Sequence, residues 1–290
     1  MREVGAEPAA SAPRGLEALP AGDAAAEPAT SDPRGLEALA ASVGRASAAL
    51  IRDNIGRATG MSAKASPTDI VTHTDLDAEQ LIRRRLAAAT PGARVLGEER
   101  GQSAPPAGQD RARLQWVVDP LDGTVNFVYS LPVMAVSIAA AVDGEIVAGA
   151  VVDVLRAETF SAAAGRGARL DGRPIATSGC RSLAQALVLT GFSYQADIRG
   201  RQGAIVQSLL PAVRDIRCFG SAALQLCWVG AGRADAYFER DNKVWDYAAG
   251  ALIAREAGAI TELPCPENDG LAIAASPAIF ADLQAAVDHG

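Results

Sequence analysis

The sequence predicts an α+β fold in two lobes, in which a run of antiparallel strands is followed by alternating helices and strands. Two apolar stretches, 133–142 and 145–155, flank the dipeptide Asp143-Gly144, which is typical of a β-hairpin turn. Residues 157–163 predict one more antiparallel strand, and the last third of the chain alternates helical and strand patterns. Because 49% of the residues are hydrophobic and only 4% are aromatic, aliphatic side chains must form the core.

The first 33 or so residues differ in composition from the rest of the chain. They are rich in Ala, Pro, Gly and Glu, and residues 7–19 recur almost unchanged at 27–39. Two copies are too few for a repeat architecture, and such a segment buries too little apolar surface to fold. We therefore predict a disordered extension over 1–33 and a domain over 34–290, with one lobe to about residue 180 and a second from 181.

Helices are predicted where apolar residues recur with helical spacing. The first opens near Leu36, and the second runs from Thr74 or Asp75, either of which could cap it, to about Ala89. Three later helices are predicted at 199–213, 221–231 and 246–257. Short strands are predicted at 95–96, 187–189, 234–239 and 260–262.

The most informative segment is 116–127, WVVDPLDGTVNF. Its apolar start has the pattern of a buried strand, which we expect to end before the proline because proline cannot continue a sheet ladder. Asp119 and Asp122 then emerge at the carboxyl end of a strand, where open α/β sheets bind ligands. The amides of Gly123 and Thr124 follow, placed to bind an anion. The segment predicts metal-dependent phosphate chemistry, with ordinary turn composition as the alternative.

Acidic residues occur at the ends of predicted elements in four segments of the chain, the central motif included. They are Asp75, Glu98 with Glu99, Asp119 with Asp122, and Asp246. Taken singly, Asp246 could be a helix N-cap and Glu98 a solvated surface residue. Together they offer the carboxylate oxygens that hard cations such as Mg²⁺ bind. In water each close carboxylate–phosphate pair costs about 1 kcal/mol. A phosphate site among these residues therefore requires cations.

Composition argues against several other classes of protein. The formal net charge is −7 without a Lys/Arg-rich tract, which argues against nucleic-acid binding. The cysteines lack metal-binding spacing and only two histidines are present, so we expect reduced, core-filling thiols rather than zinc ligands at Cys180, Cys218, Cys227 and Cys265. No signal-peptide pattern and no run of about 18 apolar residues occurs, which predicts a soluble cytoplasmic protein without a membrane partner.

Three motifs make the sequence resemble the inositol monophosphatase family. They are GEE at 97–99, DPLDGTVNF at 119–127 and WDYAAG at 245–250, in the family's order and spacing. The segments GSAA at 220–223 and DAYFE at 235–239 favour the same branch. The resemblance covers about residues 36–285. It implies a lithium-sensitive, Mg²⁺-dependent phosphomonoesterase with a layered αβαβα fold, commonly a homodimer.

The resemblance implies two Mg²⁺ sites and a third, weaker one. The implied ligands are oxygen atoms of five residues: Glu98, Asp119, Leu121 (through its carbonyl), Asp122 and Asp246. Asp119 would bridge the first two ions, and the third ion would contact Glu98 through water. Two such ions stabilise the entering and leaving oxygens of an in-line displacement.

The resemblance also implies catalytic and substrate-binding residues. Thr124, hydrogen-bonded to Asp75, would orient and help to deprotonate the attacking water, and Glu98 would join them through the third ion. Five residues would contact the substrate, at its phosphate or at its alcohol: Gly123, Thr124, Ser221, Ala222 and Glu239.

The substrate we expect is a small phosphorylated polyol, myo-inositol 1-phosphate, because the Glu239 carboxylate could accept hydrogen bonds from vicinal hydroxyls. Histidinol phosphate, fructose 1,6-bisphosphate and a 3′-phosphoadenosine nucleotide are alternatives for the same machinery. A non-catalytic binding partner is the alternative of a different class. Lys243 departs from many relatives, and it either contacts substrate or is a solvated loop residue.

Overall fold

The computed structural model describes residues 32–56, 60–64, 70–103 and 113–288. Its helices are α1 (Pro33–Asn54), α2 (His73–Ala89), α3 (Thr124–Val128), α4 (Ala196–Leu209), α5 (Ala222–Gly230), α6 (Val244–Glu256) and α7 (Phe280–Asp288). Its strands are β1 (Met61–Ala63), β2 (Ile70–Thr72), β3 (Arg94–Gly97), β4 (Gly101–Gln102), β5 (Leu114–Asp122), β6 (Ala135–Val142), β7 (Glu145–Asp153), β8 (Thr159–Ala163), β9 (Ala168–Leu170), β10 (Arg173–Pro174), β11 (Leu187–Thr190), β12 (Asp215–Cys218), β13 (Ala236–Arg240), β14 (Ile260–Glu262) and β15 (Leu271–Ala275).

The larger sheet has eight strands in the order β10-β9-β8-β7-β6-β5-β3-β4. Its strands pair antiparallel except for β3 with β5, and the hairpin predicted around Asp143-Gly144 is confirmed by the pairing of β6 with β7. Successive residues of β5 face opposite sides of this sheet. Trp116 and Val118 therefore pack against α1 and α2, whereas Val117 packs in the core formed by α5 and α6.

The smaller sheet has five strands in the order β12-β11-β13-β15-β14. One of its faces packs against α4 and α7, where Val188 and Phe238 join Ile205 and Leu283 in a separate core. Leu189 and other residues of the opposite face enter the same core as α5 and α6. The layers are thus α1/α2, sheet, α5/α6, sheet and α4/α7, which confirms the αβαβα fold.

Helix α1 begins at Pro33, directly after Asp32, whose side chain accepts hydrogen bonds from the amides of Arg34 (3.4 Å) and Gly35 (3.3 Å). The helix therefore opens three residues earlier than the apolar pattern indicated. Residues 1–31, most of the predicted disordered extension, lie outside the described residues. The disorder of that extension and the division into two lobes stay predictions.

Seven of the described strands escaped sequence prediction: β1, β2, β4, β9, β10, β12 and β15. β12 is an edge strand with half-buried and exposed residues, so it lacks the apolar alternation of a strand, and β15 is an alanine-rich strand that is wholly buried. Alanine has low strand propensity, and burial in the sheet overrides that preference here.

None of the described helices is long and apolar enough to cross a membrane.

Two smaller predictions were wrong. Helix α2 is capped at Thr72 and not at Thr74 or Asp75, and Asp75 is its third residue. Asp246 is likewise the third residue of α6, which excludes the N-cap alternative for it. All four cysteines are free thiols, but only Cys227 is buried and fills the core. Cys180 is half-buried and the other two are exposed.

Candidate active site

A β-bulge in β5 places the two aspartates of the central motif. Contrary to the prediction, β5 continues through Pro120 to Asp122. Asp119 pairs with Ser137 and Asp122 pairs with Ala135, so between these two pairs β5 contains one residue more than β6. A bulge tolerates a proline, which has no N–H for the ladder. Residues three apart in a regular strand point to opposite faces, and the extra residue removes that alternation. Both carboxylates consequently line the same cavity.

Gly123 turns the chain from β5 into α3. Its φ is +104°, and a Cβ there would lie 3.0 Å from the carbonyl oxygen of Val133 and 3.2 Å from that of Gly220. The left-handed backbone and the close carbonyls both exclude a side chain. The turn makes Thr124 the first residue of α3, with its hydroxyl 3.1 Å from the carbonyl oxygen of Leu121.

The hydroxyl of Thr124 donates to Asp75 on helix α2. Thr124 Oγ1 lies 2.8 Å from Oδ1 of Asp75, which is completely buried. The second oxygen, Oδ2, accepts from the backbone amide (2.9 Å) and the hydroxyl of Thr72. Burial raises the pKa of Asp75, and the hydrogen bonds from Thr72 and Thr124 oppose the rise.

Helix α2 also positions Glu98, which follows β3. Glu79, completely buried on α2, pairs with Arg83 (Oε1 to Nε, 2.6 Å) and accepts a hydrogen bond from the amide of Glu99 (2.8 Å). Arg83 in turn donates to backbone carbonyls on β3 and β4. The backbone is therefore held on both sides of Glu98, by the same helix that carries Asp75.

Lys64 faces the Glu98–Glu99 pair. Its Nζ lies 2.7 Å from Oε1 of Glu98 and 2.7 Å from Oε1 of Glu99. Burial lowers the pKa of Lys64, but the two carboxylates outweigh that effect and raise it above its usual value. Burial and the charge of Glu98 raise the pKa of Glu99 to about 7, against the opposing effect of Lys64.

Asp122 and Asp246 are held by the first turns of two helices. Asp122 Oδ2 accepts from the hydroxyl of Ser221 (2.6 Å) and from the amide of Ala223 (2.8 Å) at the start of α5. Asp246 Oδ2 accepts from the amide of Lys243 (2.7 Å) at the start of α6. These helices lie between the two sheets, and α6 brings Asp246 to the cavity at the end of β5, where Asp122 is the last residue of the strand.

One cavity of about 750 Å³ brings the predicted site residues together. Its lining includes Glu98, Asp119, Leu121, Asp122, Gly123, Thr124, Ser221, Ala222, Glu239 and Asp246. Asp75 lies behind Thr124 and contacts it through the hydroxyl. Lys243 also lines the cavity, but its Nζ pairs with Asp241 Oδ1 at 2.9 Å.

Glu98, Asp119, Asp122 and Asp246 form what we call the carboxylate cluster. Burial is the largest cause of a raised pKa at each of them, and the charges of the other members add to it at Asp119 and Asp246. The pKa of Asp122 is raised to about 7, although the hydrogen bonds from Ser221 and Ala223 oppose the rise. Ionising the whole cluster is therefore unfavourable unless cations enter the cavity.

The donor chemistry of the cluster fits a hard divalent cation. The cluster and the Leu121 carbonyl supply only oxygen atoms, which Mg²⁺ prefers. Among the described residues, no three acidic, cysteine or histidine side chains form a ready-made metal site. Each carboxylate of the cluster instead contacts a protein donor; Asp119 Oδ1, for example, accepts from the Leu121 amide at 2.9 Å.

Comparison with known proteins decides the family. A family model described as the inositol monophosphatase family matches residues 32–286. The chain belongs to the inositol monophosphatase family. Inositol-1-monophosphatase SuhB of Mycobacterium tuberculosis is 49% identical over 234 residues, which cover 78% of this chain and 81% of that protein. The Nus factor SuhB of Pasteurella multocida is 41% identical over 206 residues, covering 71% and 74%.

The solved structure of Mycobacterium tuberculosis SuhB has the same fold, with a TM-score of 0.76 at 42% identity, covering 89% of this chain and 98% of that one. Membership of the inositol monophosphatase family makes the protein a phosphatase, a phosphoric monoester hydrolase. The resemblance drawn from the three sequence motifs is thereby confirmed.

Sequence reasoning assigned no role to some residues around the phosphatase cavity. Lys64, Tyr237 and Asn242 make the contacts described here and below, and although Tyr237 lies within the DAYFE segment, none of the three was assigned a role from the sequence. Lys64 is separated in sequence from the glutamates that it contacts, and Tyr237 looks like an ordinary buried strand residue. Only the folded chain reveals their contacts.

Proposed function

We propose that this phosphatase uses Mg²⁺ to hydrolyse myo-inositol 1-phosphate to inositol and inorganic phosphate. The observation that carries the proposal is the convergence of the carboxylate cluster and the Thr124–Asp75 pair on one cavity. Such a cavity needs cations to admit a phosphate, and it holds a polar pair suited to activating water.

The metal ligands in this proposal are the carboxylate cluster and the Leu121 carbonyl. Asp119 would be shared between two ions, as the family resemblance implies, and these ions would offset the charges of Glu98, Asp122 and Asp246 that raise its pKa. A third, weaker ion would lie near Glu98. Bound Mg²⁺ ions lower the pKa of water and offset the charge of the reacting phosphate. Inhibition by Li⁺ belongs to the same proposal and rests on the family resemblance.

Thr124 and Asp75 would handle the proton of the attacking water. Because the Thr124 hydroxyl donates to Asp75, its oxygen remains an acceptor for a water in the cavity. The water proton can pass to Thr124 Oγ1 as the hydroxyl proton passes to Asp75. The raised pKa of buried Asp75 brings its basicity closer to what this transfer needs.

The substrate would lie between α3 and β13. The amides of Gly123 and Thr124, at the first turn of α3, would bind the phosphate, since such amides have no acceptor within their helix. Ser221, Ala222 and Glu239 line the other part of the cavity and would face the alcohol. Burial raises the pKa of Glu239 to about 8, while a hydrogen bond from Tyr237 opposes the rise.

Other roles have less support. Histidinol phosphate, fructose 1,6-bisphosphate and a 3′-phosphoadenosine nucleotide would use the same machinery, and the relatives named inositol-1-monophosphatase favour the inositol ester. A catalytically idle binding protein has no need of the complete cluster with Thr124. Some relatives are named Nus factor SuhB, but the acidic net charge argues against nucleic acid as main partner. The proposal also includes that the protein forms a homodimer and that it acts in the cytoplasm.

Removal of divalent metal should abolish activity. Protein treated with EDTA should release phosphate from inositol 1-phosphate at less than about 1% of the rate with saturating Mg²⁺, because the carboxylate cluster then repels the substrate. A phosphate-release assay over a panel of phosphomonoesters measures both the metal requirement and the substrate preference. Full activity without divalent ion would refute the mechanism, and preference for a bisphosphate would refute the inositol assignment alone.

Mg²⁺ should also raise the melting temperature, and more so at about pH 8 than at about pH 6. The raised pKa values mean that the metal-free folded state loses stability as pH rises from about 4 to about 7, because the unfolded chain ionises there while the buried cluster does not. At the lower pH protons occupy the carboxyl groups and compete with the metal. Thermal unfolding at both pH values, with and without Mg²⁺, measures the difference. A shift that shrinks as pH rises would contradict this account.

Glu239→Ala should lower kcat/KM for inositol 1-phosphate by about tenfold or more, since a substrate hydroxyl loses its buried partner. It should change hydrolysis of p-nitrophenyl phosphate by less than about twofold, because that ester offers no hydroxyls. Steady-state kinetics on both esters test this. Equal losses would mean that Glu239 supports the fold or the metal site.

A further inference from the structure

Glu239 is hydrogen-bonded by Tyr237, which does not line the cavity, and Tyr237 in turn by Asn242, which does. Tyr237 and Glu239 lie two residues apart on β13, so their side chains share one face of the strand. Tyr237 is completely buried, and its hydroxyl donates to Oε2 of Glu239 at 2.9 Å. Asn242, on the loop after β13, donates from Nδ2 to the same hydroxyl oxygen at 2.6 Å.

The direction of this hydrogen-bond chain is set by chemistry. A phenol has one proton to donate, and the ionised carboxylate of Glu239, which predominates above a pH of about 8, can only accept. Burial and the charge of Glu239 raise the pKa of Tyr237, so the phenol keeps its proton. The Asn242 amide then satisfies the hydroxyl oxygen, which leaves the proton directed at Oε2.

Glu239 is confined on a second side by Gly191. A Cβ at Gly191 would lie only 2.1 Å from Oε2 and 2.3 Å from Oε1 of Glu239, so the carboxylate rests directly on the glycine backbone. Tyr237 donates its hydrogen bond to Oε2 of Glu239, and no described residue donates a hydrogen bond to Oε1. Oε1 is therefore the oxygen left to accept from a ligand in the cavity that Glu239 lines.

The loop that carries Asn242 is itself anchored. Asp241 precedes Asn242 with a φ of +71°, and its carboxylate accepts from the Ser193 hydroxyl (2.6 Å) and from Lys243 Nζ (2.9 Å). These contacts join the loop after β13 to the loop after β11. Asn242 is thus held in place independently of any ligand.

We propose that Tyr237 and Asn242 are positioning residues that set the selectivity for hydroxyl-bearing substrates by holding Oε2 of Glu239 and leaving Oε1 to the substrate alcohol. The inference rests on the proposed function, in which Glu239 contacts the alcohol. A carboxylate already held in its binding orientation loses less conformational freedom when substrate binds. The two residues should therefore act mainly on KM, and only for esters with hydroxyl groups near the phosphate.

Tyr237→Phe removes only the hydroxyl from this arrangement. We expect kcat/KM for inositol 1-phosphate to fall by about threefold to tenfold, mainly through KM, with less than about a twofold change for p-nitrophenyl phosphate. In a Glu239→Ala background, Tyr237→Phe should cause no further selective loss of kcat/KM for inositol 1-phosphate, because the carboxylate that Tyr237 positions is absent. Tyr129→Phe, at a 73% exposed tyrosine outside the cavity, is the matched control.

Should Tyr237→Phe fail to fold, Asn242→Ala provides the second test, with the same pattern and a loss of about threefold. Equal losses on both esters, or a full additional loss in the Glu239→Ala background, would overturn the positioning role. If Glu239→Ala itself leaves the ratio of the two esters unchanged, the proposed substrate contact fails as well. If Glu239→Ala is selective and Tyr237→Phe is not, only this inference fails.

Discussion

Asp119→Asn should lower kcat for inositol 1-phosphate by at least about 100-fold at saturating Mg²⁺, which corresponds to about 2.7 kcal/mol of activation free energy. Asp119 is 2% exposed at the bulge of β5, where the proposal makes it the ligand shared by two ions. A neutral amide cannot bridge two cations as a carboxylate does. Initial rates across a Mg²⁺ titration measure the effect. Retention of more than about a tenth of wild-type kcat would contradict the bridging role.

The Asp119→Asn variant should remain folded, so that its loss of kcat can be distinguished from a loss of stability. Asparagine can still accept the hydrogen bond from the Leu121 amide. Burial and the charges of Glu98 and Asp122 raise the pKa of Asp119, so its ionised form disfavours the folded state as pH rises above about 4. Without metal at neutral pH, the melting temperature of Asp119→Asn should be no lower than that of wild type. Asp143→Asn, in an exposed turn, should change neither property.

Thr124→Val should lower kcat by about 100-fold while leaving metal binding intact. Valine keeps the shape and β-branching of threonine but removes the hydroxyl that lies 2.8 Å from Asp75 and 3.1 Å from the Leu121 carbonyl. The proposed proton transfer from water to Asp75 is then broken. The Mg²⁺-induced rise in melting temperature should persist, because the carboxylate cluster is unchanged.

Thr124→Ser is the matched control for this substitution. It retains the hydroxyl and should keep kcat within about tenfold of wild type. If Thr124→Val kept more than about a third of the activity, Asp75 and Thr124 would not activate the water. If instead Thr124→Val abolished the Mg²⁺-induced shift, its hydroxyl would belong to the metal site.

Local sequence patterns predicted much of the fold and, with the family resemblance, most of the residues that the structure brings to one cavity. Two apolar stretches around Asp143-Gly144 identified the central hairpin, and the DPLDGT motif directed attention to the end of β5. Both signals act over a few residues, where turn chemistry and strand burial leave few alternatives. The β12 and β15 strands were missed because an exposed edge strand and a buried alanine-rich strand have weak local patterns.

The sequence by itself determined the identity and order of the chemical groups: carboxylates at four element ends, a glycine turn after β5 and a threonine at the start of α3. The tertiary structure alone decided how they meet. The bulge at Pro120 brings Asp119 and Asp122 to one side, and Asn242, through the hydroxyl of Tyr237, holds Oε2 of Glu239. The physical reason is that a local pattern constrains backbone conformation over a few residues, whereas contacts between distant segments depend on how whole layers pack.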